Sequence, residues 1–160
     1  MSTIRSALHR FASIAAGLTL LTAVSAAPAL AAAGATFVHQ ESQHSFSGTV
    51  SALKKSISGN GMMVMGHINQ AKVLSMTGLH LKGGQSFLVG NPKVGKKLFK
   101  MNPAAGAVLP LRVYVWEHDG HAYVGYFQPS DLLEGINAHL AKPGHMMDKK
   151  FKMILNGATG

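Results

Sequence analysis

Met63, Met65 and His67 alternate along one predicted strand, so their side chains share a face. Thioether sulfur suits Cu(I), and imidazole suits Cu(I), Cu(II) or Zn, so these three could hold copper. Methionine also fills irregular cores, and one face of such a strand must be buried. Met63 and Met65 are therefore expected in the core, with copper as the alternative. His145-Met146-Met147 repeats the same mixture of donors further along. Glu117-His118-Asp119-Gly120-His121 crowds four further potential ligands at one hairpin tip. Tight turns collect Asp and Gly for backbone reasons, and neighbouring strand residues point to opposite faces, so this segment reads as an exposed turn.

A second constellation is Arg112, Tyr114, Trp116, Tyr123 and Tyr126 on one hairpin. A guanidinium forks around a carboxylate or phosphate, and aromatic walls supply contact area. Arg112, Tyr114 and Tyr126, with Asn91 from a neighbouring turn, are the candidate ligand-binding residues. Packing under a helix or into a dimer interface is the competing use of such aromatics. Lys93, Lys96, Lys97 and Lys100 stripe one helix face and could dock an anionic surface, an envelope polymer for instance; a solvated helix face explains them as well. Catalysis finds little support. The chain has no cysteine, no G-x-S-x-G elbow, no phosphate loop and no H-E-x-x-H.

The 160 residues carry a net charge of +9, with 47% hydrophobic and only 13% charged residues. That composition excludes extended disorder and fits one domain. Positions 1–31 read as an address rather than as fold. Arg5, His9 and Arg10 precede an apolar run from Phe11 to Val24, and Ala29-Leu30-Ala31 offers a small-residue cleavage site. These are the three parts of a secretory signal peptide, too short in its apolar part for a membrane span. The mature protein is therefore expected to be exported to a periplasm and not to span the membrane. Removing Arg5 and Arg10 takes the 15 basic residues to 13 against six acids, a charge of +7. Export makes nucleic acid an unsuitable partner despite that charge. Without cysteine in an oxidising compartment, the core alone must hold the fold.

The elements that position these residues follow from periodicity. Thr36–Gln40 reads as a strand. Ser45 caps a helix whose Phe46, Val50, Leu53 and Ile57 fall on one face, and Gly59-Asn60-Gly61 stops it. Met62–Asn69 alternates as a strand. A helical turn is expected over Gln70–Thr77, then two short strands, Gly78–Lys82 and Gln85–Gly90. Asn91-Pro92 opens a second helix with Val94, Leu98 and Met101 inward. Leu109–Glu117 and His121–Phe127 form a hairpin about Asp119-Gly120. A last helix starts at Pro129, and Pro143-Gly144 is expected to break it, leaving 142–160 as a loosely docked tail that bears Met, His and Lys. The order implies an α+β domain over 36–141: a mostly antiparallel sheet with helices on one face.

Several blocks carry a family resemblance. They are Val89-Gly90-Asn91-Pro92-Lys93, Leu109-Pro110-Leu111-Arg112-Val113, Val115-Trp116-Glu117, and Tyr126 followed by Pro129. With Ser45-Phe46, Gly61 and Ile68-Asn69, they resemble the domain-of-unknown-function family 302 over roughly Phe37 to Leu140. The resemblance implies a TATA-binding-protein-like fold, a curved sheet gripping a long helix, and a homodimer. It implies no catalytic residue. The family often has Ile-Asp where this chain has Ile68-Asn69. The reading reached is an exported, non-enzymatic protein that binds a small ligand or partner, with periplasmic copper binding as the alternative.

Overall fold

The computed structural model describes residues 34–160; the expected signal peptide lies outside them. Five strands form one antiparallel sheet: β1 (Phe37–Glu41), β2 (Met63–Asn69), β3 (Gly84–Gly90), β4 (Leu111–His118) and β5 (His121–Phe127), in the order β1-β5-β4-β3-β2. Leu111, Val113 and Val115 alternate with Arg112, Tyr114 and Trp116, so β4 turns its aliphatic side to the core and its aromatic side away. Asp119 and Gly120 take positive φ of 51° and 85°, the geometry a two-residue hairpin needs.

Helices cover the aliphatic side. In α1 (Phe46–Gly59) the Ser45 hydroxyl accepts from the Gly48 N–H, and Val50, Leu53 and Ile57 are buried. In α3 (Pro92–Met101) the Asn91 side chain accepts from the N–H groups of Lys93 and Val94. Short α2 (Gln70–Ser75) and α4 (Pro129–Glu134) follow β2 and β5. The last helix, α5 (Ala141–Thr159), packs on α1 and α4.

Three expectations are corrected. First, 142–160 is no loose tail. Met147, Phe151, Ile154, Leu155 and Ala158 recur at helical spacing and join the core. Pro143 and Gly144 lie in the first turn of α5 and do not break it. A proline there costs little, because the first N–H groups of a helix have no intrahelical acceptor. Second, Gly78–Lys82 is not a strand. Its Leu79/Leu81 alternation pairs with no strand; β3, the strand that follows it, is already paired on both sides, with β2 and β4. Third, Met63 and Met65 are not core; each is 55% exposed. β2 is an edge strand, and its register shifts between Val64 and Gly66, a bulge that leaves Met65 out of the ladder.

The first strand is tied at its start. The Thr36 N–H donates to Asp131 Oδ2 at 2.8 Å, and this bond holds the Asp131 carboxyl below its ordinary value of 3.8. A lowered folded-state pKa gives stability that is present above the unfolded value and lost as pH falls through the folded one. Asp131→Asn is therefore expected to flatten the loss of stability below about pH 4, measured as urea midpoints between about pH 5 and 3. An unchanged acid slope would show that the tether contributes nothing.

Candidate functional site

The sheet face turned away from α1 and α5 is aromatic, and only the start of α2 lies over it. Tyr114, Trp116 and Tyr123 stack in sequence across β4 and β5, with centroids 5.5 and 5.4 Å apart. Phe37 lies against Trp116, His39 and Phe127, at 6.0, 5.3 and 5.3 Å. Two glycines make room for this layer. A Cβ on Gly125 would sit 2.6 Å from the Phe37 ring, so only glycine lets that ring lie over β5. A Cβ on Gly84 would sit 3.0 Å from the Tyr114 hydroxyl. Phe37 and Phe127 remain 43% and 50% exposed.

Within this face is a hollow of about 310 Å³ bordered by Phe37, Gln70, Ser86, Arg112, Tyr114 and Phe127. It forms where the Asn69 side chain, accepting from the Lys72 N–H, turns the chain out of β2 into α2. That turn brings Gln70 over β3, where its amide bonds the buried Ser86 hydroxyl through Nε2. Oε1 of the same amide is buried with no partner. Turning the amide by 180° exchanges the two atoms and leaves the nitrogen unpaired instead. Either way one end of a buried amide is unmet, which costs about 1–3 kcal/mol. Arg112, the one arginine of the described residues, is exposed at the rim.

Of the candidate ligand-binding residues, Arg112 and Tyr114 border the hollow. Tyr126 borders it too, but its ring belongs to the core. It meets Phe151 edge-on at 5.3 Å, and burial, then the Asp148 carboxylate, push its phenol up. By strand alternation, what Tyr126 offers the hollow is backbone. Asn91 lies elsewhere: it caps α3, and its Nδ2 donates to the Gly61 carbonyl at 2.7 Å. Gln70 and Ser86 are the residues that sequence reasoning missed. Neither sits in a motif, and their meeting depends on the α2 turn.

The other candidates disperse. The His67 ring stacks on Phe87 at 4.8 Å and bonds Gln85 Oε1 at 2.9 Å. Phe87 points into the core, while Met65 lies over Gly90, so the His67 ring and the Met65 thioether pack on different neighbours. At the hairpin tip, His121 Nδ1 is 2.6 Å from Glu41, and His118 pairs with Asp119 at 3.4 Å. Among the described residues no three His, Asp or Glu side chains gather as a metal site. Lys93, Lys96, Lys97 and Lys100 are all exposed on α3. No helix of the described residues is long and apolar enough to cross a membrane.

Comparison with known proteins returns a match to the family model for domain of unknown function DUF302 over residues 38–156. An uncharacterized protein of Aquifex aeolicus (strain VF5) is 27% identical over 113 residues, covering 68% of this chain and 73% of that protein. The crystal structure of an uncharacterized conserved protein DUF302 from Bacillus stearothermophilus superposes with a TM-score of 0.72 at 19% identity. That match covers 76% of this chain and 97% of the other, and carries the fold.

Proposed function

Because the chain belongs to the family of domain of unknown function DUF302, whose description names no reaction, we propose a function from the hollow itself. The protein is an exported, non-enzymatic binding protein for a small planar anion. Its sheet face takes the ring between Phe37, Tyr114 and Phe127, and Arg112 takes the carboxylate. The observation that carries this reading is the unmet end of the Gln70 amide, buried behind an aromatic hollow that has the exposed Arg112 guanidinium at its rim. Oε1 is closed to solvent as the side chain stands, so a ligand hydroxyl or amine would meet it by drawing the Gln70 amide toward the hollow, whereas a closed core would leave its cost standing.

Trp116 is the sole tryptophan of the chain and stacks on Tyr114, so its fluorescence reads this face directly. We expect 4-hydroxybenzoate to shift Trp116 emission saturably and benzoate to bind more weakly. Arg112→Ala should weaken binding by about tenfold or more, the loss of one charge-assisted bond. Replacing Gln70 and Ser86 together (Gln70→Met with Ser86→Ala) should abolish selection of the hydroxyl while leaving thermal stability unchanged or higher, because no buried polar end remains. Emission that responds to protein dilution and to no planar anion, with dimer mass by light scattering, would replace this reading by a face covered by a second copy. Export is tested by the amino terminus of protein recovered from periplasm, expected near Ala32.

A further inference from the structure

The opposite side of the molecule carries a second hollow, independent of the sheet face. Between α3 and α5 runs a groove of about 480 Å³, walled by Met62, Val94, Leu98, Met101, Met146 and Met147. An adjoining hollow of about 350 Å³ shares Val94, Leu98 and Met147 and continues past Phe99 to Met65. Met101, Met146 and Phe99 stand 52%, 62% and 46% exposed, so much of this apolar wall faces water. Thioether side chains are unbranched and adaptable, which suits a wall that must fit a flexible occupant. The rim is cationic. Lys97, Lys142 and Lys150 border the groove, Lys96 borders its extension, and no Asp or Glu borders either.

We propose that this groove binds a single-chain anionic amphiphile, a free fatty acid, with its hydrocarbon tail along the methionines and its carboxylate among Lys97, Lys142 and Lys150. The volume lies in the range of small-molecule clefts. An apolar trough fits an alkyl chain, and the unopposed positive rim fits a carboxylate head. The trough is concave, which suits one extracted chain rather than a flat lipid surface.

The test uses the purified protein with methionine methyl groups labelled for NMR. Laurate, kept below its micelle threshold, is expected to shift Met62, Met101, Met146 and Met147 saturably while Met76 and Met153 stay still. Dodecyltrimethylammonium has a comparable tail and the opposite charge, and should bind at least about tenfold more weakly. Lys97→Glu/Lys142→Glu/Lys150→Glu should reverse that preference. Met101→Glu and Met146→Glu alter exposed positions, so the fold should survive while laurate binding falls. Three results would overturn the proposal. One is equal binding of the two amphiphiles. Another is binding to anionic phosphatidylglycerol vesicles without any response to monomeric laurate. The third is a methionine set that responds to Cu(I) and not to laurate. None of them touches the Trp116 readout, so the two sites stand or fall separately.

Discussion

A chain ending at Leu140 is expected to lose its cooperative unfolding transition altogether. α5 supplies Phe151, Ile154, Leu155 and Ala158 to the core, the first 0% and the second 1% exposed. It also closes over α1, where the Ser56 hydroxyl donates to the Ile154 carbonyl at 2.9 Å, and over β5, where Phe151 meets Tyr126. Phe151→Ala alone removes a filled core volume and should cost about 3–5 kcal/mol. Domains of this size hold about 5–15 kcal/mol in total, so the single change takes a large share and the deletion takes all of it. Urea denaturation followed by circular dichroism measures both. A truncated chain that still melted cooperatively near the full-length midpoint would show that the sheet and α1 hold without α5.

Gly144→Val should be the most damaging exchange outside the large core side chains. A Cβ at Gly144 would stand 2.6 Å from Ser130 Cα and 3.2 Å from its nitrogen, both backbone atoms that cannot rotate aside. α4 is pinned there, because the Ser130 N–H donates to Asp148 Oδ1 at 2.9 Å. Adding side-chain carbons must therefore push α5 off α4, an overpacking cost of about 1–3 kcal/mol. Gly95→Ala is the control. Gly95 lies inside α3 with nothing within 4 Å of its Cβ position, and alanine should stabilise that helix by about 0.5–1 kcal/mol. Thermal melts that moved in the same direction for both would refute the contact account of Gly144.

The same glycine shows where sequence reading reaches its limit. Pro143-Gly144 carries the local signature of a helix end, and nothing local reveals that Ser130 will press against it. The reason for glycine is a neighbour fourteen residues away, not a turn. Met63 and Met65 fail for a related reason. Alternation identifies a strand but not its place at a sheet edge, and edge position decides whether its faces are covered. Where local chemistry and tertiary need agree, the elements are legible: Ser45 and Asn91 as caps, Asp119-Gly120 as the turn, and the two faces of β4. Arg112 and Tyr114 follow from that alternation. Gln70 and Ser86 do not, since their pairing requires the turn at Asn69.

The order of strands also has a kinetic consequence. Among the described residues β1 pairs only with β5, and α1 packs on α5, so the earliest described elements find their partners among the latest. A chain emerging from its amino terminus holds Leu53 and Ile57 without a finished core until residues beyond 150 are made. Such long-range closure is slow, and the chain stays threadable while it waits. The export we propose, through a pore that takes the chain unfolded, would gain from that delay.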